Sequence, residues 1–216
     1  MLPYISEFIG TMLLILLGDG VVANVNLDRS GMKGAGAVQI TFAWGLAVLV
    51  PAFIFGSSSG AHFNPSLTIA LAAIGNFSWS MVPGYVIAQF AGAFVGAVLV
   101  YVLFAGQFEA TKDQGIKLGV FCTGPSIANT GLNLLSEIIG ILGIGNVENA
   151  SSMGLNYFFV FAIIVSIGMS LGGLTGYAIN PARDLGPRLA HAVLPIPGKG
   201  DSNFGYAWIP VVGPII

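Results

Sequence analysis

Charge is what this chain has least of. Of its 216 residues, 7 are Lys or Arg and 9 are Asp or Glu, so that 7% of the chain is charged, against about 25% in an average soluble domain. Residues 34–108 contain no Asp, Glu, Lys or Arg. No water-facing surface runs that far without charge, whereas segments dissolved in lipid do. A water-soluble globular fold is therefore excluded. The scarce Lys and Arg form no cluster that would neutralise phosphates, which excludes nucleic acid as a partner. A single cysteine, Cys122, rules out an internal disulfide and a multi-cysteine metal site. Two histidines, His62 and His191, give little material for a metal centre or a nucleophile–base pair. No metal, no cofactor and no catalytic residue are expected. The N-terminal stretch has no positive region and carries Glu7 inside its apolar run, unlike a cleaved signal peptide. It reads as a span that stays.

What is abundant is apolar sequence, 55% of the chain. Windows at residues 2–25, 38–55, 82–104, 132–145, 155–171 and 204–216 give six candidate spans. The first three approach or exceed the roughly 20 residues that cross a hydrocarbon core as helix, and their Ala, Leu, Val and Gly content suits helices rather than barrel strands. Two shorter segments, residues 64–74 and 180–194, each open with Asn-Pro and are too short to span. Pro is favoured at the first helical position, where its missing N–H is no loss, so both read as half-helices starting at the Asn.

The chain also resembles itself. Ser6-Glu7-Phe8-Ile9-Gly10 recurs as Ser136-Glu137-Ile138-Ile139-Gly140, and Gly60-Ala61-His62-Phe63-Asn64-Pro65-Ser66 recurs as Gly176-Tyr177-Ala178-Ile179-Asn180-Pro181-Ala182. Each half then runs span, span, half-helix, span. The first copy covers about residues 1–110 and the second about residues 126–216, joined by the more polar stretch 107–129 within a single domain, 1–216. Three spans per half is an odd number, so the second copy enters the membrane from the opposite side, an inverted repeat that places functional sites where broken helices meet.

Half-helices beginning in mid-membrane direct free N–H groups and a positive dipole end at the bilayer centre. With Asn64 and Asn180 at their starts, the meeting point offers amide donors to neutral polar solutes and a barrier to protons and cations. Alternatively each Asn-Pro simply caps a short helix; the two roles are compatible. Arg183 stands three residues after Asn180, beside Asp184 and one turn before Arg188. An Arg at membrane depth costs at least about 2.5 to 3.5 kcal/mol and normally faces a wet cavity or a partner. It reads as a pore-lining donor, the alternative being a pair with Asp184 at an interface. Glu7 and Glu137 are the acids deep in their spans, apart from Asp19 near the end of the first. They are expected to accept the orphan N–H groups of the backbone leading into each half-helix, with a proton relay as the alternative. His62 is expected to be a hydrogen-bonded packing residue, the alternative being a gate or pH sensor. Gly92 and Gly96, and Gly168, Gly172 and Gly176, have the small-xxx-small spacing that lets helices approach closely. Gly168 alternatively leaves room in a pore wall.

These residues resemble the major intrinsic proteins, the family of aquaporins and glycerol facilitators, from Ser6 to the C-terminus. The resemblance implies an all-α membrane protein of six transmembrane helices plus two re-entrant half-helices. Asn180-Pro181-Ala182-Arg183-Asp184 is similar to the glycerol-facilitator branch, as are Arg188 and Pro210, and Trp44, Gly168, Tyr177 and Arg183 match that branch's narrow filter. The implied function is a passive channel for glycerol, other small neutral solutes and water in a plasma membrane, assembled as a homotetramer in lipid. The rivals are a water-selective pore, disfavoured by Gly168 where strict water channels place a His, and an inverted-repeat secondary transporter. Two positions depart from the pattern: Ser66 replaces the usual Ala of the first box, Asn64-Pro65-Ser66, and Tyr177 stands where Phe is commoner. The fourth span would cover only about 21 Å as helix, and the last has no room to cross before Ile216; a six-span channel needs further residues at both places. The family orientation, termini inside, puts Arg29, Lys33, Lys112, Lys117 and Lys199 outside, against the positive-inside rule.

Overall fold

A computed structural model describes residues 1–141 and 155–216. Regular structure among them is helical: α1 (Leu2–Asn26), α2 (Ala37–Ser59), α3 (Pro65–Ala73), α4 (Val82–Leu103), α5 (Ala105–Ala110), α6 (Gln114–Phe121), α7 (Thr130–Ile141), α8 (Leu155–Thr175), α9 (Pro181–Val193), α10 (Ile209–Val212) and a terminal 3₁₀ turn, Gly213–Ile215. Helices α1, α2, α4 and α8 are long and apolar enough to cross a membrane. They are apolar on all sides, and their outer faces present large apolar residues such as Phe53, Ile87, Val102 and Phe158. That is the pattern of helices whose solvent is lipid.

Four of the six expected spans thus have spanning length. The fourth appears as the 12-residue α7, and residues 142–145 of that expected span lie outside the described residues. The last consists of α10 and the 3₁₀ turn. The polar joint 107–129, expected as a connection, holds the end of α5 and all of α6, the latter capped by Asp113, whose side chain accepts from Ile116 N–H at 2.9 Å.

α1 lies at the centre, packed along α4 and α2, while α9 packs on α4, and α8 on α2. The α1–α4 approach depends on glycine. A Cβ at Gly92 would overlap the Phe8 carbonyl oxygen, and one at Gly96 would lie 2.6 Å from that of Met12. Backbone cannot yield as a side-chain tip can, so the absent side chains set the distance between these helices. Both half-helices start as the Asn-Pro pairs dictate. Asn64 is the N-cap of α3 and Asn180 of α9, each followed by Pro at the first helical position.

Candidate functional site: a cavity where two half-helices meet

The segments leading into α3 and α9 carry unusual backbone. Ala61 and Phe63 have φ of 54° and 49°, and Tyr177 and Ile179 have φ of 39° and 44°. Left-handed geometry at such residues costs about 1–2 kcal/mol each. Buried carboxylates hold both segments in place. Glu7 accepts hydrogen bonds from His62 N–H (2.9 Å), Phe63 N–H (2.7 Å), Ser59 Oγ (2.7 Å) and Gln89 Nε2 (2.8 Å). Glu137 accepts from Ala178 N–H (3.1 Å), Ile179 N–H (2.7 Å) and Thr175 Oγ1 (2.7 Å). Both acids are fully buried, so each replaces water for amide groups that helix hydrogen bonding cannot reach.

The two half-helix starts are tied to each other. Asn64 Oδ1 accepts from Ser66 N–H, and Asn180 Oδ1 accepts from Ala182 and Arg183 N–H. Their amides cross over: Asn64 Nδ2 donates to the Ile179 carbonyl and Asn180 Nδ2 to the Phe63 carbonyl, both at 2.9 Å. Each amide has two N–H groups, so one is fixed in the tie and the other makes no hydrogen bond among the described residues. Pro65, Ser66, Pro181 and Ala182, which follow the two Asn residues, are buried.

Both Asn side chains line a cavity of about 220 Å³. Its other polar lining residues include His62 and Arg183, and the rings of Trp44 and Tyr177 form part of its wall. Arg183 lies with its guanidinium carbon 4.1 Å from the centre of the Trp44 ring, a cation–π contact. Its Nη1 is 3.5 Å from the Phe121 carbonyl and 3.7 Å from Asp19 Oδ1. Arg183 is not paired with Asp184. Asp184 Oδ1 instead binds Arg188, 2.8 Å from Nε and 2.7 Å from Nη2, and its Oδ2 accepts from the backbone and hydroxyl of Thr123. Arg188 continues to the carbonyls of Ser202, Asn203 and Thr123. This network clamps the connection after α6 and the loop before α10 onto α9.

Gly168 stands behind Tyr177. A Cβ there would lie 2.5 Å from Thr41 Cγ2 and 2.8 Å from Tyr177 Cζ, so the space it leaves is filled by the Tyr177 ring. His62 is held: its Nδ1 lies 3.1 Å from Thr68 Oγ1, and its ring packs 4.8 Å from Phe77 and 5.1 Å from Tyr85, between centroids. Sequence reasoning missed Gln89, Phe121 and Thr123. Gln89 is a polar residue in the apolar α4 and could have been noticed on that ground; Phe121 and Thr123 carry no local signal.

A family model described as Major intrinsic protein matches residues 2–216. The probable glycerol uptake facilitator protein of Thermotoga maritima is 56% identical over 220 residues, covering 99% of this chain and 93% of that protein. The glycerol uptake facilitator protein of Bacillus subtilis is 55% identical over 223 residues, covering 100% of this chain and 81% of its own length. Among solved structures, the aquaglyceroporin of Plasmodium falciparum superposes with a TM-score of 0.84 at 32% identity, covering 99% of this chain and 90% of that one. Apolar helices of spanning length joined to capped half-helices make this a multi-pass membrane protein with the aquaporin fold, and on these matches the chain belongs to the major intrinsic protein family.

Proposed function

We propose that this chain is a passive pore of the plasma membrane that conducts glycerol, other small neutral solutes and water while excluding protons and ions. The observation that carries the reading is the two-sided wall of the cavity. Trp44 and Tyr177 give an apolar face to the carbon skeleton of a polyol. Arg183 and the free amide hydrogens of Asn64 and Asn180 give donors to its hydroxyls. No bond in the solute is made or broken; hydrogen bonds to water are exchanged for hydrogen bonds to the wall. Relatives named glycerol uptake facilitators support the same substrate class.

Exclusion of ions follows from the same parts. Two half-helix N-termini each present about half a positive charge, and the Arg183 guanidinium adds N–H donors with no acceptor of its own, so cations meet a barrier. A water oxygen between the two Asn amides accepts from both and turns its own hydrogens outward, which interrupts a proton wire. The protomer consists of one channel domain, residues 1–216, with repeats at about 1–110 and 126–216, and works in a homotetramer. The matching roles of Glu7 and Glu137, and of Asn64 and Asn180, support the repeat.

Arg183→Ala in proteoliposomes is the test of the filter. Proton leak, read from an entrapped pH dye, is expected to rise about tenfold, roughly 1.4 kcal/mol of lost barrier. An unchanged leak in a variant that still conducts glycerol would remove Arg183 from this role.

A further inference from the structure

Asp19 is the buried acid that the pore described above does not use. It lies in α1, fully buried, and among the described residues neither of its oxygens accepts a hydrogen bond. Its nearest cation is Arg183, whose Nη1 is 3.7 Å from Oδ1. The preceding residue explains the placement. A Cβ on Gly18 would lie 2.6 Å from Trp44 Cε3, so α1 runs directly against the Trp44 ring over which the Arg183 guanidinium sits. Asp19 follows on the same turn. Leu14, one turn and a residue earlier, lines the cavity, whereas Asp19 touches Arg183 from outside the lumen.

Four charged side chains are buried together here: Asp19, Arg183, Asp184 and Arg188. Asp184 and Arg188 bind each other at 2.7 Å, which leaves Arg183 with Asp19 as its counter-charge. With Asp19 ionised the group sums to zero; without it the constriction carries one net positive charge in a low-dielectric wall. A positive constriction repels cations and attracts anions. Arg183 alone would therefore give a filter closed to cations and open to small anions.

We infer that Asp19 is a positioning and specificity residue of the filter: it anchors the Arg183 guanidinium against Trp44 and cancels its charge, so that the constriction admits neutral solutes and rejects anions as well as cations. The inference rests on the pore reading above. It assigns to α1, which supplies none of the four filter positions, the charge balance of the filter.

The test uses wild type, Asp19→Asn and Asp19→Glu in proteoliposomes, each measured for glycerol flux and for nitrate entry. Nitrate is supplied as its potassium salt with valinomycin, so that anion permeation limits swelling. Asp19→Asn keeps size and polarity and removes the charge. Nitrate entry is expected to rise at least fivefold, while glycerol flux falls two- to fivefold because the guanidinium loses its anchor; Asp19→Glu is expected to reject nitrate as wild type does. A purely structural role lowers glycerol flux and leaves nitrate entry at its low wild-type level. Equal nitrate entry in Asp19→Asn and wild type, both conducting glycerol, would overturn the inference and leave the pore reading standing. Loss of glycerol flux in both Asp19→Asn and Asp19→Glu, with nitrate entry no higher than in wild type, would make Asp19 a folding residue and overturn it too. A wild type that conducts no glycerol sinks the pore reading first, and this inference with it.

Discussion

Glu7→Leu is expected to reduce glycerol conduction to the level of empty liposomes. The Glu7 carboxylate accepts four hydrogen bonds, two of them from the backbone of His62 and Phe63. Side-chain donors such as Ser59 and Gln89 can turn away; backbone N–H groups cannot. Each buried donor left unmade costs about 1–3 kcal/mol, and the two backbone groups together cost about 2–6 kcal/mol, a large part of a net stability of about 5–15 kcal/mol. The left-handed geometry of Ala61 and Phe63 then loses the carboxylate that holds it, and relaxation of that segment moves both Asn64 and the Phe63 carbonyl that fixes Asn180. Glu7→Gln keeps one acceptor oxygen but turns an amide toward donors, so it falls between. Thermal melting in detergent together with glycerol flux reads the series as wild type, then Gln, then Leu. Wild-type flux in Glu7→Leu would show that other contacts fix the loop.

The second large effect is expected from Gly168→Leu. Since even a Cβ lies 2.8 Å from Tyr177 Cζ, a leucine drives the Tyr177 ring out of its niche and toward Arg183 and Trp44 across the cavity. Glycerol flux is expected to fall at least tenfold, about 1.4 kcal/mol of added barrier, with water flux falling less because water needs less width. The cause is checked by removing the displaced ring: Gly168→Leu combined with Tyr177→Ala recovers glycerol conduction. If the double variant is as impaired as the single one, the leucine acts through helix packing and not through Tyr177.

The parts of the fold set by local chemistry were legible in the sequence. Asn-Pro at 64–65 and 180–181 announces an N-cap and a first helical residue, and α3 and α9 begin there. The apolar runs at α1, α2, α4 and α8 state their helical length through the thickness of the medium they dissolve in. What was hidden lies in pairings between distant segments. The crossed bonds from Asn64 to Ile179 and from Asn180 to Phe63 join residues more than a hundred positions apart, and no spacing rule reports them. Spacing equally cannot say which of its neighbours Asp184 binds: it takes Arg188, one turn on, and leaves Arg183 to the cavity. Gly168 reads equally as a close helix contact or as room in a pore wall, and spacing cannot show that the Tyr177 ring fills the space beside it. α5 and α6 were invisible because short polar helices are held by tertiary contacts and caps rather than by a long apolar period.

The central claim is that the cavity joining Asn64, Asn180, Arg183, Trp44 and Tyr177 is part of a path for neutral polyols. Stopped-flow light scattering on proteoliposomes exposed to an inward glycerol gradient tests it most directly, with an impermeant osmolyte of equal strength as the comparison. The account predicts fast shrinkage followed by protein-dependent reswelling as glycerol enters, at a rate that stays proportional to the gradient and does not depend on an ion gradient. Fast shrinkage without reswelling would mean a pore for water alone, flux that saturates and follows an ion gradient would mean a coupled transporter, and either would contradict it.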